Sequence, residues 1–287
     1  KKVGVSNLYK VRLVPHADDL KNNTLEKSIF HYSSHGWKSN KTGQWVTDNI
    51  CPTTFGEPMD SNPIVLYVVN QYKKLKEQGI TDKEHPARVA LRKLGTKENW
   101  LVNVFVIDDP VNPENNGTVK LLKMGKNLYD LVIGALEDDL FGPRIFSLAD
   151  DGCTFRIKVG WNGDKKDSFQ TYAGSAFEQV GTPIPNVKSE NDIYSKYIDM
   201  PSQFTQKTKE ELTALVKEHF LAAPEVASGD VDANEAVEEA AQALTKAPTK
   251  TVTKKAAPKK VETKVTETEQ DGPSEQELDD LLDGLPE

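Results

Sequence analysis

The stretch "NWLVNVFVIDDPVNPENNGTVKLLKMGKNLYDLVIGALEDDL" (99–140) contains the fold in outline. Residues 99–107 are the most apolar run of the chain, rich in β-branched and aromatic side chains, and predict a strand. "DDPVNPENNG" sets two prolines, three asparagines and a glycine between apolar runs, which predicts a long turn. "TVKLLKMG" (118–125) then reads as the next strand, and Leu128, Val132, Ile133 and Leu136 recur at helical period in the segment that follows.

Outward from that stretch the same alternation continues. "LYKVRLV" (8–14) predicts a strand ended by Pro15. "SIFHYSSHGW" (28–37) and "GQWVTD" (43–48) predict two strands joined by the turn residues "KSNKT", with Trp37 and Trp45 near the loop. Pro63 suits the first turn of a helix that Gly79 stops. The basic stretch "HPARVALRKLGTK" (85–97) comes next, and "CTFRIKVGW" (153–161) predicts a further strand. A final helix over 208–220 opens with Thr208 and Glu211 in capping-box spacing. Short strands with a few intervening helices predict an α+β core around a small barrel, not a βαβ sheet.

Composition changes near residue 221. From there on, sixteen acidic residues face seven lysines, while residues 1–220 carry 28 acidic and 29 basic ones. All four Trp, eight Tyr and ten Phe lie in residues 1–220, so any core lies there. Residues 221–270, rich in Ala, Lys, Thr and Pro, predict a disordered linker, because they bury too little apolar surface to offset chain entropy. Residues 271–287 form an acidic tail in which Leu278, Leu281, Leu282 and Leu285 make one helical stripe among Asp279, Asp280 and Asp283. Such a helix is too short to stand alone in water. It suits docking into a partner's groove, and its carboxylates suit competition with nucleic-acid phosphates. Cys51 and Cys153 are too few for a disulfide framework, and no stretch approaches a membrane span. An intracellular chain with reduced thiols is the expectation.

No nucleophile elbow or zinc-protease motif assembles His31, His35, His85 or Cys51, so no catalytic site is expected. On a strand, the two histidines of "HYSSH" share a face but stand about 13 Å apart, too far for one zinc ion. Basic residues fall in three groups: Arg88, Arg92 and Lys93; Lys120, Lys123 and Lys126; Arg156 and Lys158. Aromatics are interleaved with them, namely Trp100, Tyr129, Trp161, Phe169 and Tyr172. Cations that track phosphates and rings that stack bases are the requirements of a single-strand binder. A solvated basic face over core aromatics is the plain alternative.

"KVRLVP", "HGWKSNKTGQWVTDNIC", "NVFVIDDPVNPENNGTVKLLKMGKNLYD", "SFQTYAGSAF" and "LDDLL", in this order, resemble the T4-type bacteriophage single-stranded DNA-binding (helix-destabilising) protein family. The likeness covers most of residues 8–220 and the final acidic tag. It implies an OB-fold-like small β-barrel core with added helices, sequence-tolerant single-stranded DNA binding in a cleft, and no enzymatic activity. It implies a tail that recruits phage replication, recombination and repair proteins, no membrane partner, and residence in the cytoplasm of the infected bacterial host. Arg88, Arg92 and Lys93 match phosphate contacts, Lys123 a cleft-strand cation, and Trp100, Phe169 and Tyr172 cleft aromatics. The family's basic N-terminal arm supports self-association along DNA; the matched stretches here begin after it. The family also holds structural zinc through one His and three Cys. Only His35 and Cys51 match, the other two positions being Asn62 and Val65, so no zinc cofactor is expected. Apolar packing by Ile64, Val65 and Tyr67 is expected in its place. The reading from another functional class is a protein-interaction adaptor with an OB-like domain and an acidic docking tail.

Overall fold

The apolar run after Asn99 folds as expected in the computed structural model. Strand β4 (Thr96–Asp108) pairs antiparallel with β5 (Val119–Met124), Trp100 opposite Met124 and Phe105 opposite Val119. The turn between them is held by one carboxylate. Asp109 accepts from the backbone N–H of Val111 (3.0 Å) and Asn112 (2.9 Å) and from Asn115 Nδ2 (2.8 Å). Burial alone would raise its pKa; these hydrogen bonds outweigh it and hold the group below the usual range. Gly117, at φ 77°, closes the turn in a conformation that a side chain would oppose.

The structure describes residues 6–22, 24–162 and 169–221, in two compact units. Unit 1 comprises the chain up to His31 together with Asn99–Phe204; unit 2 comprises Tyr32–Glu98 and the chain from Thr205 onward. The predicted linker beyond Leu221 and the acidic tail, with Leu278, Asp279, Asp280, Leu281, Leu282, Asp283 and Leu285, lie outside the described residues.

In unit 1, β1 (Asn7–Val14) lies between β4 and β6 (Phe155–Asn162), antiparallel to both. Two short strands, β7 (Phe169–Thr171) and β8 (Ala176–Phe177), also pair with β6. Among the described residues of this unit, the ladders trace an open antiparallel sheet. The α+β class stands. Strand alternation sends Val11, Leu13, Val102 and Val104 to one core, beneath Leu128 and Val132 of helix α4 (Lys126–Glu137). Val14, Phe105 and Val119 go to a second core, which Ile193 of the short helix α5 (Glu190–Tyr194) helps to close. Arg12, fully buried, donates from its guanidinium to the carbonyls of Ser147 (2.9 Å), Ala149 (3.2 Å) and Thr182 (2.5 Å). It pins two loops that lack ladder partners of their own. Helix α1 (Ala17–Asn22), β7, β8 and α5 are too short to show a period and were absent from the sequence expectation.

Unit 2 is built on the hairpin of β2 (Ile29–Lys38) and β3 (Trp45–Ile50). Against it pack α2 (Pro63–Glu77), α3 (Pro86–Arg92) and α6 (Lys209–Val216), with Trp37, Ile64, Tyr67, Val68, Tyr72, Leu91, Leu94, Leu212 and Val216 as core. The helix starts follow the sequence signals. Asn62 caps α2 through Ile64 N–H with Pro63 at N1, and Gly79 after the helix has φ 74°. Thr208 and Glu211 form the expected capping box. Among the described residues, no helix is long and apolar enough to cross a membrane.

Candidate nucleic-acid interface

The β5–α4 junction of unit 1 gathers the first set of candidate residues. Trp100 stands opposite Met124, and α4 starts two residues after Met124, so Tyr129 in its first turns meets the indole. The rings stack with centroids 4.1 Å apart and planes 8° apart, and His31 adds a third ring 5.3 Å from Trp100. Both Trp100 and Tyr129 are half-buried against the first core. Tyr129 therefore takes one face of the indole, and the exposed member of the stack is His31. Lys126 heads α4 one turn before Tyr129 and pairs with Asp130 at 2.9 Å, while Lys123 is exposed opposite Leu101. Lys120, grouped with these by sequence, stands opposite Val104, and three residues along a strand turn it to the other face from Lys123.

The second set lies on β6. Arg156 and Lys158 are two apart, exposed, and share a face, with Lys10 and Leu8 as their cross-strand neighbours. Arg156 Nε is 3.8 Å from Glu178. The backbone of Phe169 pairs with Asn162. Tyr172 is half-buried against the first core, and burial raises its phenol pKa. Its ring is part of the core edge.

The third set belongs to unit 2. His85 caps α3, and the helix then presents Arg88, Arg92 and the following Lys93. Arg88 donates to the carbonyl of Thr81 (2.9 Å) and lies 5.2 Å from the Tyr72 ring centroid. Arg92 donates to the carbonyl of Lys83 (2.5 Å) and is 3.4 Å from Glu84. These two arginines bind the segment before their own helix, whereas Lys93 is exposed. Sequence reasoning passed over Trp45. It is 64% exposed, and Lys97 Nζ lies 5.9 Å from its ring centroid. The alternation that buries Trp37 was the signal for it.

The structural zinc that the resemblance implies does not fit this chain. His35, 1% exposed, makes a hydrogen bond of 2.8 Å through Nδ1 to the Leu94 carbonyl and one of 2.9 Å through Nε2 to Asn62 Nδ2. A carbonyl can only accept, so Nδ1 carries the proton and the Nε2 lone pair is spent on the amide. The amide cannot turn round, because Asn62 Oδ1 caps α2. Burial drives the imidazole pKa down to about 4 and, with the nearby Glu98 charge, the Cys51 thiol up to about 12. No ligand lone pair or thiolate is presented, and Val65 offers none. Among the described residues, no group of three or more His, Cys, Asp or Glu is placed to hold a metal ion. The filler differs from expectation: Ile64 and Tyr67 join the unit 2 core, but a polar His35–Asn62 pair occupies the position itself. An imidazole with no metal needs a partner for each nitrogen, and apolar packing supplies none.

The model of the family described as gp32 DNA binding protein like matches residues 9–223. The chain is 27% identical over 185 residues to the single-stranded DNA-binding protein of Enterobacteria phage T2, and 27% identical over 182 residues to that of Enterobacteria phage T4. Each match covers 61% of this chain and 54% of the relative, so the chain spans about half the length of the relatives it matches. A family model that takes in both units and every basic and aromatic group described above places the chain in one family: it belongs to the gp32-like DNA-binding proteins.

Proposed function

We propose that this protein binds single-stranded DNA without strong sequence preference, as a non-enzymatic component of phage DNA replication, recombination and repair in the infected cell. The carrying observation is the membership of residues 9–223 in a DNA-binding family, together with exposed cations beside partly exposed rings in each unit. In unit 1, Lys126 stands one turn before Tyr129 of the Trp100–Tyr129 stack, Lys123 is exposed on the other face of β5, and Arg156 with Lys158 line β6. In unit 2, Arg88 and Arg92 lie on α3 with exposed Lys93 just after it, and exposed Lys38 stands opposite exposed Trp45. Cations neutralise phosphates and rings stack bases of any identity. The name of the T2 and T4 relatives points the same way.

The finer features rest on the family likeness: an OB-fold-like binding site, self-association along DNA, and recruitment of replication proteins by the stripe Leu278, Leu281, Leu282 and Leu285. With seven carboxylates from Asp271 to Glu287, the tail also competes with DNA for cationic surface. A salt series of oligo(dT) titrations of the full chain tests the central claim. Saturable binding that weakens with salt, by about 0.7 in log-log slope for each phosphate contacted, is expected. No binding at low salt would leave the adaptor reading in its place. Removing residues 271–287 is expected to tighten binding at low salt and to have no effect once salt screens both interactions.

A further inference from the structure

We propose that Trp45 is a base-stacking position on unit 2, with Lys97 and Lys38 supplying the phosphate contacts beside it. The proposal rests on the single-stranded DNA reading above. Among the described residues, the exposed large apolar side chains are Leu20, Trp45, Met59, Val111, Leu140 and Val180, so Trp45 is the aromatic one. Its exposure follows from register. Trp37 pairs with Val46 and both face the unit 2 core, so the next pair, Lys38 with Trp45, faces outward.

The support beneath the ring is fixed. The turn closes through Ser39 N–H to the Gln44 carbonyl (2.8 Å) and Gly43 N–H to the Ser39 carbonyl (2.9 Å), with Gly43 at φ 68°. The last described helical turn then clamps it: Asn40 N–H donates to the His219 carbonyl (2.7 Å), Ser39 Oγ lies 3.2 Å from His219 Nδ1, and Lys41 reaches Glu218 at 3.5 Å. A ring on a braced hairpin loses little freedom when a base settles on it. Lys97 Nζ lies near the outer limit of a cation–π contact with the indole, which places an ammonium group beside the ring. A flat exposed ring with a lysine on either side suits a stacked base on a polyanion.

The test measures binding of the full chain to labelled oligo(dT) by anisotropy, which does not depend on tryptophan emission. Trp45→Ala is expected to weaken binding about 5- to 150-fold with the salt slope unchanged. Trp45→Phe is expected to keep most of the affinity and Trp45→Leu to lose it, which separates stacking from mere apolar bulk. Lys97→Gln is expected to lower the slope by about 0.7. Wild-type binding matched by Trp45→Ala overturns the proposal and leaves the DNA reading intact, as does equal loss with Phe and Leu. Absence of wild-type binding overturns both.

Discussion

His35 shows what one residue type commits the chain to. Buried and hydrogen-bonded through both nitrogens, it stays neutral in the folded protein with a pKa of about 4. In the unfolded chain it takes up a proton below about 6.5. Its folded pKa is depressed, so the associated stability is present above about pH 6.5 and is lost as pH falls toward about 4. The full loss is on the order of 3 kcal/mol. Urea melts at pH 7.0 and 4.5 should show a steep acid loss in wild type and a shallower one in His35→Gln. The same residue predicts indifference to metal: elemental analysis should find no stoichiometric zinc, and EDTA should leave the melting temperature unchanged. One tightly bound equivalent would contradict the hydrogen-bonding account. The loss of two thiolate positions was legible in the sequence. That Asn62 would meet Nε2 was not, because the amide's direction is set by the start of α2, 27 residues from His35.

Elements were legible where a local signal marked an end, as with Pro63 and Gly79 at the two ends of α2, or Thr208 and Glu211 at the start of α6. What a linear reading could not give was the division of labour within an element. Lys120 and Lys123 are neighbours in sequence but occupy opposite faces of β5. On α3, Arg88 and Arg92 hold the carbonyls of Thr81 and Lys83, and only tertiary structure separates them from Lys93. Arg88→Ala and Arg92→Ala are therefore expected to lower thermal stability as well as DNA affinity, by about 1 kcal/mol each. Lys93→Ala should leave the melting curve in place and reduce the salt slope of oligo(dT) binding by about 0.7. Unchanged melting for all three variants would show that the arginine contacts contribute no net stability. Trp100 and Tyr129 were legible as aromatics near cations, but their mutual stacking depends on β5 ending just before α4.

At the scale of the whole molecule, the chain passes between units after His31, Glu98 and Phe204. The sequence pointed to one folded core over residues 1–220, since composition changes at residue 221 and nowhere earlier; a division whose pieces interleave leaves no compositional mark. Unit 2 nevertheless depends on its distant segment, because Leu212 and Val216 are fully buried beside Trp37 and Ile64. Leu212→Ala is expected to cost about 2–5 kcal/mol. Hydrogen exchange followed by mass spectrometry should show faster exchange in α2 and α3, with β1 and β6 retaining protection. Equal loss across all four would mean that the two units unfold as one.

The interleaving also has a consequence for biosynthesis. Everything unit 1 needs has been synthesised once Phe204 is made, whereas unit 2 still lacks α6. Trp37, translated early, must wait for Val216 before its core can close. At about 5–20 residues per second, that wait is roughly ten to forty seconds, during which a half-finished apolar surface is open to chaperones and proteases. Slow codons before residue 205 would prolong the exposure, and synonymous recoding there should alter soluble yield without altering a single side chain.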